Sequence, residues 1–190
     1  MTFKLNINLH RAKILSSTRI YLELLLTEND YDELLNVFKR NYTDNYLRFL
    51  YSMPSDRICY EMSERCTNEH VVDNLSYDDN ENEFEKLYYV IKLKNNQIIG
   101  GFDIYMCDND LEIGLFIDKE HAGKGYGTEA VNLIIKLFEN YSQIERIKWT
   151  CDVKNIASEK IAKKCNFIYT ELKYISPGVT DKIFYLNFVR

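Results

Sequence analysis

The chain has 190 residues, 46% apolar and 28% charged, with a net charge of −5, a globular balance with room for one sizeable core. That acidity excludes generic nucleic-acid binding through a basic surface, because neutralising phosphates takes clustered Lys and Arg. No window approaches the ~20 apolar residues of a membrane span, and five scattered cysteines without a C-x-x-C pair read as reduced thiols, not as a disulfide framework.

The opening MTFKLNINLH alternates apolar and polar residues and lacks the apolar core of a secretion signal, so a soluble, cytoplasmic protein is expected. The three histidines, His10, His70 and His121, give a zinc site little to build on. They are far apart, and no metal is expected.

Arg19 to Leu26, RIYLELLL, reads as a strand. Thr27 and Asp30 stand near the spacing of a capping box. Tyr31, Leu34, Leu35 and Phe38 then mark one face of a helix. Tyr46, Leu47, Leu50 and Tyr51 predict a second short helix ending before Pro54. Residues 55–86 carry little pattern, and the acidic run 77–83 reads as a connection. Leu87–Leu93, Gln97–Met106 and Leu111–Ile117 form a meander of antiparallel strands with turns at 95–96 and 107–110. In the third strand Leu111, Ile113, Leu115 and Ile117 point one way, and Glu112, Gly114 and Phe116 the other.

The next stretch, HAGKGYGTEA, holds three of the seven glycines between that strand and a helix with an apolar face at Ala130, Val131, Leu133, Ile134, Leu137 and Phe138. A strand over 146–153, a helix over 155–165 and strands over 167–175 and 182–189 complete the chain. Strand–helix–strand at this end makes a parallel crossover on an antiparallel meander. Residues 1–190 are therefore expected to form one α+β domain.

Helix N-termini carry unpartnered amides and partial positive charge, and a glycine-rich entry lets those amides converge on an anion. Gly123, Gly125 and Gly127 so read as a phosphate cradle or as a tight turn that needs glycine for its shape alone. The spacing fits neither the nucleotide P-loop nor the dinucleotide fingerprint.

Ala122-Gly-Lys-Gly-Tyr-Gly127 resembles the Q/R-x-x-G-x-G/A element of GNAT-superfamily N-acetyltransferases. Asn155-Ile-Ala-Ser158 followed by Lys163-Lys-Cys-Asn-Phe167 resembles that family's second signature, N-x-A-S…K-x-G-F. RIYLELLLTENDYDELL and EIG at Glu112–Gly114 resemble the branch containing ribosomal-protein N-terminal acetyltransferases. Two positions depart from the pattern: Ala122 replaces the usual Arg or Gln, and Asn166 replaces glycine at what reads as a helix C′ position, where Asn is the next-best left-handed residue.

The resemblance implies a mixed, mostly antiparallel central sheet flanked by helices, with a parallel strand pair splayed at the site of acetyl-CoA. It implies that the pantetheine arm lies along the backbone of Leu115, Phe116 and Ile117. The pyrophosphate would meet Ala122, Gly123, Lys124, Gly125, Tyr126, Gly127 and Thr128, with Asn155 and Ser158 flanking the arm. The acceptor would be a primary amine, and homodimers are common in such folds. An alkylamine with pKa about 10 must lose a proton to attack a thioester. Glu112 stands as general base or as an ordinary strand glutamate. The Phe116 amide is a candidate oxyanion donor. Ser158 stands as proton donor to the leaving thiolate or as a capping residue beside Asn155. The family's usual tyrosine is Ala162 here, with Tyr169 and Tyr174 as outside candidates. Cys151 and Cys165 read as buried thiols. A non-catalytic acyl-CoA sensor is the alternative to an enzyme.

Overall fold

A computed structural model describes residues 14–24, 28–41, 86–107 and 110–189. The expected helix at Tyr46–Tyr51, the acidic run at 77–83 and Thr27 lie outside the described residues. Strands are β1 (Ile14–Ser16), β2 (Ile20–Leu24), β3 (Lys86–Leu93), β4 (Ile98–Cys107), β5 (Asp110–Ile117), β6 (Arg146–Asp152), β7 (Ile168–Ser176) and β8 (Val179–Asn187). Helices are α1 (Glu28–Asn41), α2 (Tyr126–Phe138) and α3 (Ile156–Lys164), with a 3₁₀ turn at Lys119–His121.

The strands form one eight-stranded sheet in the order β1-β2-β3-β4-β5-β6-β8-β7. Among the described residues β5 and β6 are its one parallel pair, and every other neighbour is antiparallel. The arrangement is the α+β mixed sheet that the strand pattern predicts.

Period-two alternation gives each strand two different faces. One carries Ile20, Leu22, Tyr89, Ile91, Phe102, Ile104, Leu111, Ile113, Ile147, Trp149 and Phe184, all buried in the main core. α2 and α3 cover this face with Ala130, Val131, Ile134, Phe138 and Ala162. α1 packs on the opposite face. Its buried stripe is Leu34, Val37, Phe38 and Asn41. Leu35, included in the stripe from spacing, is half-buried, because Val37 turns further towards the sheet. Phe38 meets Phe116 edge to face at 5.9 Å.

Sequence boundaries move by one or two residues at most elements. The last strand differs more, beginning at Val179 instead of Lys182. Pro177 and Gly178 form a two-residue connection with Gly178 at φ 79°, so pairing resumes at once with Ser176 opposite Val179. Strand β1 has only three residues, too few to show a period in the sequence.

Candidate active site

Two ion pairs join the closed end of the parallel strands: Asp110 with Arg146, and Glu112 with Lys148 at 2.8 Å. The parallel ladder ends at Ile113 opposite Trp149, while β5 runs on to Ile117 and β6 to Asp152. From Gly114 onward β5 has lost β6 as a partner, and the strands enclose a V-shaped gap. Asp118 N–H donates to Ile99 O at 2.7 Å, and strand amides alternate in direction. Gly114 and Phe116 therefore turn their N–H and C=O groups to β4. The close approach of Phe116 O to Gly100 agrees. Leu115 and Ile117 turn theirs into the gap. This corrects the expectation for Phe116: its amide points away from the opening and is unsuited to stabilise an oxyanion there, and its ring belongs to the α1 contact.

At the mouth of the gap the chain turns through the glycine stretch into α2. Gly123 and Gly125 have φ of 75° and 88°, conformations that side chains with a Cβ adopt at a cost. Gly127 serves a different need. A Cβ there would lie 2.9 Å from Ile161 and 3.5 Å from Leu115, so its absence lets α2 pack against both β5 and α3.

The two helices that start beside the gap differ at their N-termini. Asn155 caps α3, its Oδ1 accepting from Ser158 N at 3.0 Å. α2 begins at Gly125 with no side-chain cap. Ala122 N–H donates to Lys119 O at 3.3 Å. Among the described residues, none of the six amides from Gly123 to Thr128 donates to a backbone carbonyl. Such a cluster suits an anion.

Side-chain anchors hold both ends of this loop. At its entry Asp118 is buried, accepting from Arg40 at 2.7 Å and Asn41 at 3.3 Å. Burial alone would push this carboxyl up. The hydrogen bonds from Asn41 and Arg40, with the Arg40 charge, outweigh it and hold the group below the usual carboxylate range. Asn41 Oδ1 also accepts from Lys119 N at 2.9 Å, tying α1 to the 3₁₀ turn. At the exit Glu129 accepts from Ser17 Oγ at 2.6 Å, Arg19 N at 3.1 Å and Arg19 Nε at 2.7 Å. Arg19 reaches on to Lys124 O at 2.9 Å and lies 4.7 Å over the Tyr126 ring. Burial raises the Glu129 carboxyl, but its bonds to Ser17 and Arg19 lower it by more.

Glu112 and Ser158 flank the closed end of the gap from different elements. Glu112 lies on the α1 face of β5, and its Oε2 accepts from Lys148. Ser158 Oγ accepts from the indole N–H of Trp149 at 3.0 Å. Trp149 is buried and needs such a partner, so the bond leaves the serine O–H as a donor, with the Cys151 thiol also within its hydrogen-bonding reach. Ala162, one turn on, is buried and has no hydroxyl. Tyr169 and Tyr174 lie on β7, separated from β6 by β8. Burial pushes both Cys151 and Cys165 upward, Cys165 to about 11, which suits inert thiols.

The second signature folds as its residues suggest. Asn166 adopts φ 63°. Asn166 N–H donates to Lys163 O and Phe167 N–H to Ala162 O at 3.0 Å, a Schellman end that buries Phe167 beside Trp149. Asn therefore meets the conformational demand usually met by glycine.

Sequence spacing did not identify Arg19, Ser17, Glu129, Asp118, Arg40 or Asn41. The signal that could have found Asp118 is an acid closing a strand just before a helical turn, where its side chain can accept from the turn's amides.

A family model described as an acetyltransferase (GNAT) domain matches residues 19–168. The Bacillus subtilis protein "Uncharacterized N-acetyltransferase YjdG" is 32% identical over 85 residues, which cover 43% of this chain and 50% of that protein. The chain thus spans half the length of this relative. Among solved structures, a GNAT-family acetyltransferase from Bacillus anthracis superposes with a TM-score of 0.68 at 14% identity, covering 92% of this chain and 98% of that one. RimL, a ribosomal L7/L12 alpha-N-protein acetyltransferase in complex with coenzyme A, gives 0.68 at 16% identity, again covering 92% and 98%. At these identities the structural likeness speaks for the fold, whereas the family match spans most of the sequence. The chain belongs to the GNAT acetyltransferase family.

Proposed function

Starting from that membership, we propose that the chain transfers the acetyl group of acetyl-CoA to a primary amine, on a protein N-terminus or a small molecule, by direct attack on the thioester. The observation that carries this reading is the uncapped N-terminus of α2, with six amides gathered where β5 and β6 part. A pyrophosphate is the anion suited to that corner. An acyl-pantetheine arm laid in the gap could bond the inward-turned backbone of Leu115 and Ile117 as an added strand does. The RimL structure was determined in complex with coenzyme A, which supports the same choice of guest.

In this reading Glu112 takes the proton that the amine must shed. Lys148 occupies Oε2, leaving Oε1 as the acceptor. The amine nitrogen bonds to the thioester carbon and releases its second proton to water as it becomes a neutral amide; the carbon–sulfur bond breaks, and the Ser158 hydroxyl passes a proton to the departing sulfur while regaining one from water. The Leu115 amide, turned into the gap, is the donor placed to stabilise the carbonyl oxygen. A protein N-terminus, with pKa about 8, asks less of the base than an alkylamine with pKa about 10.

The test is release of free thiol from acetyl-CoA across a panel of amines that includes N-terminal peptides, polyamines, amino sugars and amino acids. Acceptor-dependent release supports transfer. Tight coenzyme A binding with no release on any acceptor would assign the chain to the acyl-CoA sensors instead.

A further inference from the structure

We propose that the outer edge of β7 is the interface of a symmetric homodimer, formed by antiparallel pairing of β7 with β7 of a second copy about a two-fold axis at Leu172. Strand β7 ends the sheet, so among the described residues one row of its N–H and C=O groups lacks a strand partner. An edge strand presents a row of unpaired N–H and C=O groups on which a strand of another chain can pair. This one runs for nine residues, IYTELKYIS, and exposes Ile168, Tyr169, Leu172, Tyr174 and Ile175, with Leu172 at 56% and Tyr174 at 68%.

The choice of a second copy rests on charge. A two-fold axis perpendicular to a sheet keeps every side chain on its own face. Directly opposed residues also share a face. The axis must therefore pass through a residue, not between two. Register shifts next to Tyr169 and Tyr174 leave Glu171–Tyr174 as the regular stretch. Centring on Leu172 sets Glu171 against Lys173 of the second copy, twice by symmetry, and Leu172 against its own equivalent. Moving the centre one residue either way would oppose Glu171 to Glu171 or Lys173 to Lys173, which repel. The strand thus complements itself in one register. Such an interface is isologous and closes on itself. The flanking bulges keep the ladder short, and a stable interface takes about 800 Å² from each partner. The exposed tyrosine, leucine and isoleucine side chains must therefore share in the contact, and the dimer should come apart on dilution.

Sedimentation velocity of the full chain from micromolar to millimolar concentration tests the interface. Wild type should show a monomer–dimer equilibrium. E171K turns both cross-strand pairs repulsive and should weaken association about tenfold or more. The double variant E171K/K173E restores opposite charges and should restore association. Circular dichroism melts and coenzyme A binding confirm that each variant is folded. A wild type that stays monomeric at every concentration overturns the proposal. So does a single variant that associates like wild type, or a double variant as weak as the single one.

Discussion

Replacing Gly125 by Asp, and separately by Asn, would add one charge at the mouth of the loop while holding side-chain shape constant. Gly125 sits at φ 88°, and a Cβ there would lie 3.3 Å from the Arg19 guanidinium, the end of a side chain that can move aside. A left-handed residue costs about 1–2 kcal/mol, least for Asn and Asp. That strain falls on the free and bound protein alike, so it should appear in the thermal melt and largely cancel from affinity. The charge does not cancel. A carboxylate about 5 Å from one phosphate charge, at an effective dielectric of about 20, feels a repulsion of ~3 kcal/mol. Pairing of the new carboxylate with Arg19 offsets part of this. The Asp variant should therefore bind coenzyme A about 30- to 100-fold more weakly than the Asn variant, and added salt should narrow the gap. Calorimetric titration of both folded variants reads this directly. Equal affinity of Asp and Asn variants would refute the placement of phosphates on this loop.

Three further outcomes follow from the same geometry. Glu112→Gln should lower turnover about 100-fold or more at neutral pH while leaving coenzyme A affinity nearly unchanged; steady-state kinetics beside calorimetry decide, and undiminished turnover removes Glu112 as the base. Ser158→Ala should cut turnover about tenfold or more and, by orphaning the Trp149 indole N–H, destabilise the fold by about 1–3 kcal/mol; a variant normal in both assays contradicts both roles. Glu129→Gln loses the anchor to Ser17 and Arg19, about 1–2 kcal/mol for a contact whose arginine is half exposed. The Glu129 carboxyl is lowered in the folded state, so its contribution is fully present above the unfolded pKa of about 4 and is lost as pH falls through the lower folded value. In urea unfolding the gap between wild type and Glu129→Gln should be constant from pH 6 to 8 and shrink as pH falls below about 4; a gap undiminished between pH 6 and pH 3 contradicts the assignment.

Much of the frame was legible because burial writes itself into local periodicity. The alternation at Leu111–Ile117 separates Glu112 from the core face, and the glycines at 123, 125 and 127 mark a turn into a helix. Asn166 shows its left-handed role through residue type and its place after α3. What was not legible depends on residues far apart in the chain. Glu129 meets Ser17 and Arg19 across 112 and 110 positions, and no spacing rule connects them. Lys148 reaches Glu112 only through the parallel register of β5 and β6, which the two strands separately do not disclose. The direction of the Phe116 amide likewise follows from which neighbour its strand pairs with first. Glycine count alone also blurred two functions: Gly123 and Gly125 answer to backbone conformation, Gly127 to the packing of α2 on β5 and α3.

The most direct measurement is a crystal structure of the full chain with coenzyme A. The account predicts diphosphate oxygens within hydrogen-bond distance of the amides between Gly123 and Thr128, with the pantetheine arm entering between β5 and β6 alongside Leu115 and Ile117. Coenzyme A seated elsewhere while that corner stays unbound would contradict it.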